Sequence, residues 1–295
     1  MRQFYLINAD GQKYNLINDN TTAFLWQPDG LGFQYDKDYM ESEGFFFEMN
    51  SAVTQVPKTG ILLFYGSDPY GEYKTFMDYV YSSEGLRLAY CPKNTWYYVD
   101  IDIEFVEKSE LQEDGTLQCA ISMLPKTPIY LPYELNIDLS GDLGSSIKQY
   151  SWDNTPSDYV YKYDYTYSNT AVAGEIEFEI PAQMDSGLEI TIYGAISSPV
   201  MEFYANGSKI GEIDLSSISI LAGDYVKYSS VPTSAGVYQS VSGVIDDITE
   251  QIGLNADYPS FFLLPPNQTI KAVLQADILT GTSASIKVYE YFMSV

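Results

Sequence analysis

The sequence predicts a mainly β protein of two domains, and three observations lead to this fold class. First, 28 Tyr and 14 Phe occur among 295 residues, and aromatic side chains favour the half-buried surface of a sheet. Second, short apolar runs alternate with turn residues along most of the chain. Third, Pro125, Pro128 and Pro132 fall within ten residues, which argues against a regular ladder or helix there. We therefore expect one domain over residues 1–130 and another over 131–295.

Strand-like runs fill the first domain, and one helix interrupts them. Tyr73, Phe76, Met77 and Val80 recur at i, i+3, i+4 and i+7, the spacing of one helix face. A proline near the start and a glycine after the end delimit the segment. We expect one amphipathic helix docked on a sheet whose strands include RQFYLINA, TTAFLW, GFFFEMN, GILLFYG and YYVDIDIEFVE.

Residues 28–56 contain many turn residues and charges, and they predict an excursion or a long hairpin more than a core element. The segment opens with a proline and two glycines, and acidic residues alternate after them. The residues that we single out here are Pro28, Gly30, Leu31, Gly32, Phe33 and Tyr35.

The second domain is predicted to be a β-sandwich, because short strands follow one another at the spacing typical of that architecture. The runs are GEIEFEIP, LEITIYG, VMEFYANG, SKIGEIDLS, TIKAVLQAD and ASIKVYEYF. One short helix is expected in SGVIDDITEQIG, where Ile245, Ile248 and Ile252 share a helix face, Ser242 is the candidate cap and Gly253 follows the end.

Charge and composition exclude several classes of function. The net charge of −25 repels nucleic-acid backbones and anionic lipids. The chain lacks His, which removes the usual general base and the commonest zinc ligand. We expect no enzyme activity, no cofactor and no metal. The two cysteines read as buried apolar residues, and we expect a protein made in a cytoplasm, with no signal peptide and no membrane span.

A row of tyrosines is the first candidate for binding chemistry. The five side chains alternate along one strand and would share one face, so they could stack on sugar rings or pack against a second sheet or a neighbouring subunit. Packing is the interpretation that we favour. The residues are Tyr159, Tyr161, Tyr163, Tyr165 and Tyr167.

Three carboxylates on alternate positions of one strand are the second candidate. Asp100, Asp102 and Glu104 could bind calcium, but a strand spaces them about 7 Å apart, so a charged surface is favoured. A glycoside hydrolase remains a further alternative, since many acid pairs are available, yet the sequence singles none out.

The order of these elements resembles the distal tail proteins of long-tailed siphophages. The shared features are AFLWQPDGLGFQYDKDY, the strand GILLFYG before the helix YKTFMDYVY, the long run from YYVDIDIEFVE to the proline-rich exit, and YVYKYDY, ITIYGAISSPVMEFYANG and FFLLPPNQTIKAVLQAD in the second half. The resemblance extends over nearly the whole chain. The sequence departs from it at PPN, residues 265–267, where relatives commonly carry a glycine.

The resemblance implies a first domain that forms a homo-hexameric ring and a second, galectin-like β-sandwich. Such a ring joins the tail tube to the tail-associated protein and the receptor-binding proteins, in the virion's tail tip, while DNA passes without specific binding. Residues 28–56 would then be an arm that reaches a neighbouring subunit. The alternative is a carbohydrate-binding adhesin that uses the tyrosine row, although galectin sugar sites use His and Arg, which the second half lacks.

Overall fold

The computed structural model describes residues 3–17, 23–82, 84–137, 139, 172–253, 257–278 and 282–295. Contacts between Cα atoms divide the chain into two compact units. The first unit comprises residues 1–132, 182–184 and 289–295, and the second comprises 133–181 and 185–288. Both units are built mainly from antiparallel strands, which confirms the predicted fold class.

The first unit contains the α-helix and the longest strand. The elements in chain order are β1 (Gln3–Asn8), β2 (Lys13–Asn15), β3 (Ala23–Asp29), β4 (Gln34–Ser42), β5 (Phe45–Thr54), β6 (Lys58–Phe64), α1 (Pro69–Tyr81), β7 (Leu86–Cys91), β8 (Tyr97–Leu111), β9 (Leu117–Pro125) and the start of β10 (Ile129–Ile137).

Seven of these strands form one sheet that curls back on itself. The order across it is β3-β6-β9-β8-β7-β1-β2, with every pair antiparallel. The backbone N–H of Leu25 in β3 donates to the carbonyl of Leu16, just after β2, over 3.2 Å. The two edges of the sheet therefore meet, and its inner face encloses the core. Both cysteines, Cys91 and Cys119, are buried here as free thiols.

Helix α1 lies where the spacing of apolar residues predicts it. Asp68 caps its first turn by accepting a hydrogen bond from the N–H of Gly71. Phe76 is fully buried and packs against the rings of Phe64 and Tyr14, at 5.8 and 5.3 Å between centroids. Burial of this aromatic face holds the helix on the sheet.

Two distant segments complete the first unit. The N–H groups of Gln183 and Met184 donate to the carbonyl of Tyr291, over 3.0 and 3.2 Å. The rings of Tyr289 and Tyr291 pack on the ring of Tyr130. Aromatic contacts and backbone hydrogen bonds thus hold residues 289–291, near the end of the chain, in the first unit.

The second unit contains the remaining strands. They are the rest of β10, then β11 (Val172–Ile180), β12 (Gly187–Tyr193), β13 (Ile196–Ala205), β14 (Ser208–Asp214), β15 (Ser219–Ile220), β16 (Tyr225–Ser229), β17 (Gly236–Val241), β18 (Val244–Asp247), β19 (Gln268–Ile278) and β20 (Ser283–Phe292), whose last residues belong to the first unit.

These strands form a β-sandwich. One sheet has the order β11-β19-β13-β14, with β15 beside β13, and the other has the order β18-β17-β16-β12-β20. Apolar side chains of both sheets line one small internal space, among them Ile192 of β12, Met201 of β13 and Val226 of β16. The alternation of buried and exposed residues along the strands follows from this packing.

The prediction of a helix in residues 242–253 is wrong. Ser242 and Gly243 both have positive φ, 52° and 84°, so they form a tight hairpin turn between β17 and β18 instead of a cap. A single 3₁₀ turn, Thr249–Gln251, follows. Ile245 is 61% exposed whereas Ile248 and Ile252 are buried, because the strand turns the first isoleucine outward.

Two of the three prolines lie in strands, and Pro128 lies between them. Pro125 ends β9, and Pro132 lies inside β10. A proline removes one ladder hydrogen bond while its φ suits an extended backbone, so the expectation of an irregular segment is wrong at these positions. No helix in the described part of the chain is both long and apolar enough to cross a membrane.

Candidate functional site

Residues 28–56, called the arm from here on, form a two-stranded hairpin. Among the described residues, strands β4 and β5 pair only with each other, from Gln34 opposite Thr54 at the base to Ser42 opposite Phe45 at the tip. Glu43 and Gly44 join them with φ of 51° and 82°, the geometry of a two-residue hairpin turn. Every residue of both strands is exposed.

The end of the arm carries large apolar side chains in solvent. Phe45, Phe46 and Phe47 are 68%, 69% and 52% exposed. Met40 on the opposite strand and Met49 are also exposed. We call these five residues the aromatic tip. Isolated exposed apolar residues are common, but a contiguous group of this kind is typical of a contact surface.

The ladder explains why the aromatic tip is apolar on both faces. Phe46 is opposite Glu41 and points to one face, while Phe45 and Phe47 point to the other, since side chains alternate along a strand. The register shifts at Asp38, where Met49 is the extra residue. No single sheet packed on one face could bury all three phenylalanines, so a complete contact must enclose the tip.

The base of the arm is tied to the first unit by one lysine. Lys58 is buried, at 5% exposure, and its Nζ donates to the carbonyl oxygens of Gly30 and, over 3.3 Å, Gly32. Gly30 has φ 73°, and a Cβ on it would lie 2.0 Å from the Pro57 carbonyl oxygen. A glycine is therefore required at position 30.

The other predicted arm residues lie around this base. Pro28 lies in β3, and Leu31 is half-buried against the core of the first unit. Phe33 and Tyr35 stack edge to face at 5.3 Å between centroids. The six singled-out residues thus cluster at the base, whereas the exposed aromatic tip lies at the far end of the hairpin.

Two further contacts fix the direction in which the arm leaves the unit. The Tyr35 hydroxyl lies 3.4 Å from Sδ of Met293. Directly after β5, Nε2 of Gln55 donates to the carbonyl of Pro125 over 2.7 Å. The salt bridge of Lys37 with Glu48, 2.8 Å across the hairpin, supports the arm itself.

Lys58 has no carboxylate within ion-pair distance in the described chain. Burial lowers the pKa of its ammonium group, because transfer from water disfavours the charged form. The two glycine carbonyls offset part of that cost. The chain has 40 acidic and 15 basic residues, yet the buried ammonium group of Lys58 is not in a described ion pair.

A cavity of about 430 Å³ opens beside this lysine, entirely within the first unit. We call it the base cavity. Its walls include Lys58 and Gly32, the apolar side chains of Phe33 and Val53, and Phe292 near the chain end. It has the volume and mixed lining of a site for a ligand or a protruding side chain.

The three carboxylates on β8 do not converge. Asp100 accepts hydrogen bonds from Nε of Arg87 over 3.1 Å and from the Tyr130 hydroxyl over 2.9 Å. Asp102 lies 3.4 Å from Nζ of Lys126, and Glu104 accepts from the Ser122 hydroxyl. Each acid has its own partner, and no group of metal-ligating side chains is found among the described residues.

The tyrosine row falls outside the described residues, so its role stays a prediction. It comprises Tyr159, Tyr161, Tyr163, Tyr165 and Tyr167. The adhesin alternative, which uses this row, is likewise untested by the described part of the chain.

Sequence reasoning missed the aromatic tip and Lys58. The sequence pattern predicts only a strand for the run of three phenylalanines. Its signal was the absence of alternation, because three consecutive apolar residues beside a charged hairpin cannot all face one core. Nothing in the sequence marks Lys58, since lysine is ordinarily exposed and its burial depends on the distant glycines.

Comparison with known families finds a match for the first unit. Residues 3–126 match the family model of the distal tail protein, N-terminal domain. No curated protein matches the sequence.

Solved structures extend the likeness to the whole chain. A chain of the phage P2 baseplate in its activated conformation with calcium is similar over 97% of this chain and 98% of that one, with 17% identity and a TM-score of 0.65. A chain of the same baseplate with strontium has 18% identity and a TM-score of 0.64. The Dit protein of phage SPP1, described as a hub of the adsorption apparatus, has 8% identity and a TM-score of 0.57 over the same shares.

These likenesses show the fold at low identity, and the family model gives the first domain its family. Residues 3–126 are therefore a distal tail protein N-terminal domain, and the chain over nearly its whole length has the fold of phage baseplate and distal tail proteins.

Proposed function

We propose that this protein is the hub of a phage tail tip, in which six copies form a closed ring. The ring joins the tail tube to the tail-associated protein and to the receptor-binding proteins, and the protein works without catalysis. The arm is the observation that carries this proposal. Its exposed aromatic tip needs an apolar partner, and β4 and β5 pair with nothing else in the described chain.

Ring closure requires a heterologous contact, in which one surface of a copy binds a different surface of the next. An arm that leaves one subunit and ends on its neighbour is a contact of this type. The fixed base, with Lys58 bonded to Gly30 and Gly32, gives every copy the same arm direction. A repeated direction is what a closed ring demands.

The charge of the chain suits a conduit for DNA. A net charge of −25 on each copy repels phosphate groups, so a genome passing through the ring would meet no attractive site.

The test is the mass and shape of the full-length protein. Native mass measurement at increasing concentration should give six times the mass of the chain, and negative-stain images should show rings with a central hole. Tail tips isolated from virions supply the second specimen, because partners there can complete assembly. A protein that stays monomeric in solution and is absent from tail tips would contradict the proposal.

A further inference from the structure

The base cavity joins two features that the fold alone does not explain. Lys58 is a buried cation whose described acceptors are two neutral carbonyls, from Gly30 and Gly32. An ammonium group has three protons to donate. A buried charge without a counter-charge is costly, and a carboxylate in the cavity would relieve that cost.

The walls of the cavity define what else the ligand must carry. Phe33, Val53, Val99, Phe292 and Met293 make much of its lining apolar. Its volume of about 430 Å³ is within the usual range of roughly 300–1,000 Å³ for sites that take a ligand. The fitting ligand is therefore an acid attached to aromatic or other apolar groups.

The end of the arm has this chemistry. Glu41 and Glu43 precede the three phenylalanines, and neither acid has a described ion-pair partner, unlike Glu48, which pairs with Lys37. Acid and aromatic groups thus occur together within seven residues. The chain carries both the site and a segment complementary to it.

An arm cannot fill its own cavity. The ladder runs from Gln34 at the base to Ser42 at the tip, with one bulge at Asp38, and nine strand residues extend about 30 Å. The tip of each arm is therefore held away from the base of the same arm. An arm tip that enters a base cavity therefore comes from another copy of the chain.

We propose that the tip of the arm, residues 41–47, binds in the base cavity of a second copy of this chain, with the carboxylate of Glu43 beside Lys58 and the phenylalanines against the apolar wall. The contact is heterologous and repeats from copy to copy. This inference rests on the proposed ring and specifies the surfaces that join its subunits.

Cross-linking between two variants of the full-length protein tests the contact. One copy carries Glu43→Cys at the tip, and the other carries Thr54→Cys, an exposed position on the cavity wall. Mixed copies should form a disulfide-linked pair under mild oxidation. Asp114→Cys, in the exposed turn between β8 and β9, replaces the cavity variant in the control and should give at least about tenfold less linked product.

Charge removal measures the contribution of the ion pair. Glu43→Gln should raise the dissociation constant of the oligomer about 30-fold or more, because it leaves the buried ammonium without its counter-charge. Glu48→Gln, on the same arm but paired with Lys37, should change the constant no more than about twofold.

The outcomes separate this inference from the ring itself. Rings that form while the tip–cavity link stays at the control level would overturn the inference and leave the ring. A link from the cavity variant to another tail protein, in isolated tail tips, would show a different occupant and also overturn it. Absence of oligomers in solution and in tails would overturn both proposals.

Discussion

Gly30 faces Pro57 so closely that a side chain on the glycine would meet the proline carbonyl oxygen at 2.0 Å. The contact lies where β3 leaves for the arm and β6 begins, so the two strands of the arm are brought together there. The backbone geometry at this point decides how the arm leaves the unit.

Substitution of Gly30 by Ala should therefore loosen the arm. The residue has φ 73°, which disfavours any side chain, and the clash adds strain, for a total of about 1–3 kcal/mol. Hydrogen exchange of amides in residues 30–56 should be faster by about tenfold or more in G30A. Gly32→Ala is the matched control, since a Cβ there has open space, and wild-type exchange rates in both variants would contradict the argument.

Removal of the aromatic tip should abolish assembly without unfolding the chain. The combined variant carries Phe45→Ser, Phe46→Ser and Phe47→Ser. Each substitution should change the free energy of unfolding by no more than about 0.5 kcal/mol, because the three rings are exposed. Native mass measurement should then find monomers. Leu221→Ser with Val244→Ser removes comparable exposed apolar groups from the second unit and should preserve assembly. If the variant without the three phenylalanines still formed rings, the arm would not be the contact that joins the subunits.

The hydroxyl of Tyr130 should stabilise the first unit through Asp100. The hydroxyl donates to Oδ1 of this aspartate over 2.9 Å, and the tyrosine is buried at 1% exposure. Burial, followed by the nearby carboxylate, raises the pKa of Tyr130, so the phenol stays protonated as the donor. Tyr130→Phe should lower the free energy of unfolding by about 1.5–3 kcal/mol, the usual contribution of a hydrogen bond to a charged group.

Tyr70→Phe is the control for this measurement. Its hydroxyl also donates to a carboxylate, that of Glu110 over 3.2 Å, but in an exposed position. Chemical denaturation should show a change below about 0.5 kcal/mol for this variant. Equal effects of the two substitutions would indicate that burial is not the source of the difference.

Glu290 should make stability depend on pH. It is 3% exposed, and burial raises the pKa of its carboxyl above the ordinary 4.5. The folded state then holds the proton to a higher pH than the unfolded chain does, so the free energy of unfolding falls as pH rises through that interval. Glu290→Gln should unfold at a higher temperature than the wild type near about pH 7, and the difference should shrink towards about pH 4.

Glu113→Gln provides the comparison in this experiment. It lies in the exposed turn between β8 and β9 and removes the same charge without burial. Thermal unfolding at both pH values should give it no comparable pH-dependent gain. A Glu290→Gln protein less stable than the wild type near about pH 7 would show that the carboxylate makes a favourable contact instead.

Local patterns in the sequence predicted the elements that depend on neighbours in the chain. The spacing of Tyr73, Phe76, Met77 and Val80 placed α1, because a helix face is set by residues three and four apart. The same argument failed at Ser242, where the following glycine favours a tight turn. The pattern of residues 28–56 indicated an excursion, and the structure makes it a hairpin.

The remaining features depend on contacts across the chain. The burial of Lys58 follows from carbonyls at Gly30 and Gly32, and the interaction of Asp100 with Tyr130 joins residues 30 positions apart. Such pairings leave no periodic signal in either segment. For this reason the sequence does not predict the base cavity.

The packing of Tyr289 and Tyr291 on Tyr130 also constrains the order of events during synthesis. Residues 289–295 leave the ribosome only after the whole second unit has been synthesised, so the strand that completes the first unit is made long after the rest of that unit. A polypeptide released before residue 289 therefore lacks that strand. Completion of the first unit thus depends on synthesis of the entire second unit.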